Sequence, residues 1–283
     1  MAEQSQKPEW KPSIVKEVLE ALATSSQPVR VETDAGGAYI KALGNPEGPH
    51  SLVCEWVGTR LAGWLGLPTL EMSRIDLRPQ PQIRFANGSY AIPGPAIATK
   101  FVEGDVWSGL EEDLKVIVNP EAIAGLVVFD TWTRNNDRFC RPPGGAVREN
   151  LRNVFLSEEG VPEGRFKLLA IDHTACFRCE EGEISAKVAN IGRVRDPRIF
   201  GLFDGFTGYC TKEAIEQFLG RLAKLKEDCV KKVIAEVPRE WQLSEDRRRD
   251  LTNFICGRAY YLVEKLVELL TPQCGWNAKS GIK

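Results

Sequence analysis

Histidine is nearly absent: the 283 residues contain two. That leaves little from which to build a zinc site. The single CxxC, Cys176 to Cys179, has no second pair at zinc-finger spacing, and the 8 cysteines are scattered along the chain. They read as small buried hydrophobes of a reducing compartment rather than as metal or redox centres. A surplus of positive charge is also lacking. The formal net charge of −2 argues against a general nucleic-acid or membrane-surface binder, although a local basic patch stays open. No apolar run approaches the roughly 18–20 residues that span a bilayer. The N-terminal MAEQSQKPEWKPS has no apolar signal core, so a cytoplasmic protein is the expectation. Internal repeats, low-complexity tracts, a basic amphipathic helix and a convincing helix-turn-helix are missing as well. What is present is an ordinary globular composition, 43% hydrophobic and 27% charged, with length for about one large or two small domains.

Residues 13–24, SIVKEVLEALAT, place Ile14, Val18, Leu19 and Leu22 at helical spacing and predict a helix. VRVETDAGGAYIKAL predicts a β-hairpin with a short Gly-containing turn. SLVCEWVGTRLAGWLG predicts a helix closed by Gly66 and Pro68. LEMSRIDL and AIPGPAIATKFV follow as strands, the prolines of the second suiting an edge or a bend. Past residue 103 the character changes. A helix is expected over 119–130, RPPGGAVREN is a breaker-rich insertion, and NVFL and KLLAID are short strands. Past residue 210, EAIEQFLGRLAKLKEDCVKKVIAEV and EDRRRDLTNFICGRAYYLVEKLVELL form two long helical patterns. The second aligns Leu251, Phe254, Ile255, Leu262, Val263, Leu266 and Leu270 in one stripe. A strand-rich first half and a helical second half give an α+β class, with domains expected at 1–102 and 103–283.

Within this frame a set of polar residues falls in an order that suits phosphoryl transfer from ATP. That chemistry needs a lysine for the phosphates, a carboxylate to steady it, a carboxylate to orient the acceptor hydroxyl, and oxygen donors for Mg²⁺. Lys41 sits among apolar residues on a predicted strand, and Glu55 among apolar residues on the following helix. A strand lysine followed by a helix glutamate is the kinase pairing, although two solvated charges on amphipathic elements would look the same in isolation. Asp137 in TRNNDRF, Asn153 in NVFL and Asp172 in LLAIDH follow. Asn and Asp are common at turns and strand ends, which explains any one of these residues better than it explains all five in sequence.

The stretches YIKAL, SLVCEWVGTRLAGWLGLPTLEMSRID, ATKFVEG, FDTWTRNNDRF, NVFL and LAIDHTACF resemble the HipA-like kinase family, as does the later VPREWQ with its long helix. The resemblance spans residues 28 to 270, and the NNDR…N…IDH set is its specific part. It implies a two-lobed protein-kinase-like fold and an ATP- and Mg²⁺-dependent kinase, with a protein serine or threonine as acceptor. Position by position it implies Lys41 on the phosphates, held by Glu55, and Lys100-Phe101-Val102 as the hinge that meets adenine. It further implies Asp137 as the catalytic carboxylate, Asn153 and Asp172 as metal ligands, Asn136 and Arg138 as shapers of the loop, and His173 as a support.

Several points stay open. Phe139 stands where the family commonly has His. The insertion CRPPGGAVREN separates Asp137 from Asn153, and a shifted register would make Asn150 the ligand instead. No GxGxxG is present: DAGG, with Gly36 and Gly37, or GNPEG, residues 44–48, would have to cover the phosphates through backbone N–H donors. A small-molecule or lipid kinase of the same fold and a non-enzymatic pseudokinase are the alternatives. An antitoxin-like partner is a property of some family members, and nothing in the chain shows one. Ser25, Ser26, Ser157 and Thr174 are available hydroxyls for autophosphorylation.

Overall fold

A computed structural model describes residues 10–142, 144–179 and 182–276. The chain divides into two compact units that interleave in sequence. One comprises the residues up to Leu52 and Leu70–Phe101; the other comprises Val53–Thr69 and everything from Val102 onward.

The first unit is built on β1 (Val15–Ala21), β2 (Val29–Thr33), β3 (Gly36–Lys41), the opening of α1 (Pro49–Leu65), β4 (Met72–Asp76) and β5 (Pro95–Lys100). The strands form one sheet in the order β1-β2-β3-β5-β4, and every neighbouring pair is antiparallel. Val29, Val31, Ala38, Ile40, Ala96 and Ala98 form the core of its buried face. The hairpin of β2 and β3 follows the alternation read from VRVETDAGGAYIKAL. Its turn needs Gly36, which has φ +97°, a conformation open to glycine at no steric cost.

Two expectations are corrected here. Residues 15–21 are a strand, not a helix. Only Val15 of β1 is fully buried, and Val18 and Leu19 are exposed, so the spacing that suggested a helical face marks no face. Edge pairing with β2, through two register shifts, overrides the local pattern. The second correction concerns AIPGPAIATKFV. β5 lies inside the sheet between β3 and β4, and Pro95 is tolerated because it is the first residue of the strand.

The second unit contains the rest of α1, β6 (Gly104–Val106), α2 (Glu111–Lys115), α3 (Glu121–Thr133), β7 (Phe139–Cys140), β8 (Arg148–Glu149), β9 (Val154–Ser157), β10 (Lys167–Ala170), α4 (Ile191–Val194), α5 (Lys212–Leu222), α6 (Glu227–Ala235) and α7 (Glu245–Leu270). α3 is buried on all sides from Ala122 to Thr133, as expected of a helix that is apolar all round. Trp132 donates its indole N–H to the Ile255 carbonyl at 2.9 Å and so ties α3 to α7. The long pattern over residues 213–237 is two helices, α5 and α6. Ile215, Phe218, Leu219 and Leu222 are buried on the first, Val230 and Ile234 on the second. α7 runs unbroken from its cap Ser244, but Val263, placed in its apolar stripe, is 36% exposed. β10, β9 and β6 form a small antiparallel sheet. Among the described residues no helix is long and apolar enough to cross a membrane.

Candidate active site

The segment TRNNDRF leaves α3 through Arg134, which caps the helix in the left-handed conformation at φ +52°. Beneath it lies a carboxylate hidden inside the apolar run FDTW. Asp130 is fully buried; its Oδ2 accepts from Arg138 Nε at 2.8 Å and its Oδ1 from Asn135 Nδ2 at 3.1 Å. Burial pushes the Asp130 carboxyl up to about 6, against the opposing charge and hydrogen bond of Arg138. Arg138 is itself fully buried and donates from Nη2 to the Ile171 carbonyl at 2.9 Å. One guanidinium thus links the base of the loop to the residue just before Asp172.

On this foundation Asp137 is exposed. Its backbone N–H reaches Asn135 Oδ1 at 3.3 Å. Its Oδ2 accepts two amides, Asn153 Nδ2 at 2.7 Å and Asn150 Nδ2 at 3.1 Å. Both asparagines that competed for one role therefore meet the same carboxylate oxygen. The insertion explains how. β7 and β8 pair antiparallel, the Asn150 N–H returns to the Arg138 carbonyl at 2.8 Å, and a 3₁₀ turn, Leu151–Asn153, delivers Asn153 at the head of β9. Asn153 is 4% exposed. With its amide nitrogen committed to Asp137, its Oδ1 has no hydrogen-bond partner among the described residues.

Asp172 follows the end of β10, which the buried Asn119 pins at both polar groups of Leu168, at 3.0 and 2.9 Å. Asp172 has φ +53°, uncommon for a residue with a side chain, and its Oδ1 accepts the Thr174 hydroxyl at 2.8 Å. The next residue is held from α1. Glu55, 5% exposed, accepts the His173 N–H at 3.0 Å, and Thr59 shares a 2.9 Å hydrogen bond with His173 Nδ1. Glu55 thus fastens the Asp172–His173 turn. Among the described residues no group of three or more His, Cys, Asp and Glu side chains is arranged to hold a metal. Asn153 Oδ1 and the Asp172 carboxylate are nonetheless hard oxygen donors of the kind that suit Mg²⁺.

In the first unit, Lys41 ends β3, half-buried, opposite Ile97. Gly36 and Gly37 open the same strand. The DAGG turn is pinned at Asp34, whose carboxylate takes the Ser13 hydroxyl at 2.5 Å and the N–H groups of Ser13 and Ile14 at 2.8 and 3.1 Å. GNPEG leads straight into α1, organised by Asn45, which donates to the Ala42 carbonyl at 2.8 Å and accepts the Glu47 N–H at 2.9 Å. In the expected hinge segment, the N–H groups of Lys100 and Phe101 are engaged by the carbonyls of Glu71 and Gly37 at 2.8 and 2.9 Å. The Val102 N–H has no partner among the described residues.

Other expectations sort as follows. Asn136 is exposed, and it is Asn135, fully buried, that braces the loop. Phe139 turns to Phe203, with ring centroids 5.1 Å apart, and joins an aromatic cluster with Trp107 and Phe206. Cys176 and Cys179 are free, buried thiols. Of the candidate hydroxyls, Ser26, Ser157 and Thr174 are buried and Ser25 is exposed. Asp130 escaped the sequence reading, although a carboxylate in an otherwise apolar, buried helix demands a partner and Arg138 lies eight positions on.

Comparison with solved structures gives the arrangement its class, a two-lobed α+β fold of the kinase type. The Helicobacter pylori proinflammatory kinase CtkA matches at a TM-score of 0.55 and 13% identity, over 94% of this chain and 99% of that one. A Golgi casein kinase with Mn/ADP bound matches at 0.50 and 9%, over 90% of this chain and 74% of that one. No curated protein matches by sequence. A profile of the HipA-like kinase family matches residues 15–268, and the chain belongs to that family.

Proposed function

We propose that the protein is an ATP- and Mg²⁺-dependent kinase whose acceptor is a protein serine or threonine hydroxyl. The observation that carries this reading is the Asp137 carboxylate. It is exposed, both asparagine amides converge on its Oδ2, and its Oδ1 has no partner among the described residues. A carboxylate fixed on one oxygen and open on the other is suited to orient an acceptor hydroxyl and take its proton. Asn153 and Asp172 would hold the cation, whose charge offsets that developing on the transferred phosphoryl group. Lys41 is assigned to the ATP phosphates, Gly36 and Gly37 to their cover, and Lys100, Phe101 and Val102 to the adenine. Glu55 keeps the Asp172–His173 turn in place. Family membership supports the phosphotransfer class. The Golgi casein kinase, with its Mn/ADP, supports a divalent cation and a protein acceptor.

The test is transfer of label from ATP to proteins of a cell lysate, with Mg²⁺ present. Asp137→Ala and Asp172→Ala should each lower transfer by at least about 10²-fold while thermal melts stay cooperative. Full activity in Asp137→Ala overturns the mechanism. Full activity in Asp172→Ala removes the metal assignment. Label found in lipid or small molecules and not in protein overturns the acceptor class.

A further inference from the structure

Asn150 closes the insertion of residues 140–150, and both its backbone polar groups are committed. Its N–H donates to the Arg138 carbonyl at 2.8 Å, and its carbonyl accepts the Asn153 N–H at 3.2 Å. These bonds return the chain to the loop of Asp137 and start the 3₁₀ turn Leu151–Asn153. Neither involves the side chain. Asparagine at the start of a helical turn ordinarily caps it, its side-chain oxygen accepting a backbone N–H. Asn150 flanks its turn with no side-chain cap hydrogen bond. The side chain is half-buried and is spent elsewhere. Among the described residues its one hydrogen bond runs from Nδ2 to Asp137 Oδ2 at 3.1 Å, and its Oδ1 has no partner.

Asn153, the other donor to Asp137 Oδ2, is placed differently. It is buried, it is closer at 2.7 Å, and its Oδ1 is assigned to the cation as well. Asn150 has no second duty. The two residues stand three positions apart across a 3₁₀ turn, the spacing at which side chains eclipse, and so reach one oxygen from the same side of the chain. A carboxylate held by a single donor still rotates about its side-chain bonds. A second donor on the same oxygen narrows that freedom and fixes where the other oxygen points. An amide that donates to a carboxylate makes a charge-assisted bond, about twice as strong as a neutral one.

We propose that Asn150 is a positioning residue for phosphotransfer: its amide holds Asp137 so that Oδ1 faces the acceptor hydroxyl. The proposal rests on the reading of Asp137 as the carboxylate that orients that hydroxyl. It gives the insertion a part in the reaction. Among the described residues no side chain of TRNNDRF donates to the Asp137 carboxylate, and the last residue of the insertion does. Asn150 acts on the acceptor only through Asp137, so its removal should slow transfer without loosening ATP.

Two measurements on the full-length protein test this. In protein isotope-labelled at asparagine, Asp137→Ala should shift the side-chain amide NMR signals of Asn150 and Asn153 and leave that of Asn119 in place. The second measurement follows label transfer from ATP, with Mg²⁺, to a fixed amount of cell-lysate protein while ATP is varied. Asn150→Ala should lower the maximal rate about 10- to 100-fold and leave the KM for ATP within about twofold. Its urea midpoint should be unchanged, because the backbone bonds remain. Asn150→Gln, which keeps an amide donor, should recover part of the rate. Asn150→Asp, the same shape without the donor, should not. In an Asp137→Ala background Asn150→Ala should cost nothing further, as expected of a residue that acts through Asp137. A wild-type rate in Asn150→Ala, or unshifted Asn150 signals in Asp137→Ala, overturns the proposal. So does a lowered rate that comes with a lowered urea midpoint and no recovery in Asn150→Gln, the mark of a merely structural residue. A full rate in Asp137→Ala fails differently: it removes the reading of Asp137 itself, and this proposal with it.

Discussion

Asp130 and Arg138 carry the loop that carries Asp137, and neither reaches solvent. A buried pair of this kind contributes little against an apolar replacement of both partners, but removing one partner leaves a charge with no counterion. Asp130→Ala should therefore cost about 3–5 kcal/mol in urea denaturation. Asp130→Asn, which keeps an acceptor for Arg138, should cost clearly less. Equal losses in the two variants would show that packing rather than charge holds the loop. Gly201 makes the same point from the other side. Its Cα faces the Asp130 carboxyl so closely that a side chain would overlap it, and its φ of +76° favours glycine independently.

Among the elements, α1 positions most. Gly58 lies against His173, where an added Cβ would come within 2.6 Å of the His173 Cβ and 3.4 Å of the Cys176 sulfur. Helix propensity favours alanine there by roughly 1 kcal/mol, but overpacking costs about 1–3 kcal/mol, and the neighbour is the residue next to Asp172. Gly58→Ala should lower the urea midpoint and reduce phosphotransfer at least tenfold, since the turn must move to admit the methyl. An unchanged midpoint with full activity would show that the turn is compliant. Elements with strong periodicity or clear punctuation, the β2–β3 hairpin, α1, α3 and α7, were legible in the sequence. β1 was not, because an edge strand with one fully buried residue carries no alternation to read. The α5–α6 break was not, because the connecting residues 223–226 contain no glycine or proline. The residue types and order of the candidate site were legible too. Its foundation in Asp130, Asn135 and Asn119 was not, because buried polar groups inside apolar runs are identified by their partners, and those partners come from distant segments.

For the molecule as a whole, the interleaving of the two units matters more than their separate cores. The helical unit takes Val53–Thr69 from the middle of the strand-rich half. Through that segment it gains the Glu55–His173 hydrogen bond, the Arg221 bond to the Leu65 carbonyl at 3.0 Å, the Ala170 bond to the Pro68 carbonyl at 2.9 Å, and the Trp56–Trp241 contact. A fragment of residues 103–276 should consequently lack a cooperative urea transition. A sharp transition with native near-UV circular dichroism would show that the segment is dispensable.

The strand pair β7–β8 has a consequence of another kind. Because Asn150 is tied back to Arg138, the spacing between Asp137 and Asn153 does not depend on how much chain lies beyond the pair. Lengthening such an excursion costs only about 0.6 kcal/mol per doubling. The exposed Gly144–Gly145 step is therefore a natural splice point, where an epitope or a fluorescent reporter could ride beside the reaction centre and leave its dimensions alone.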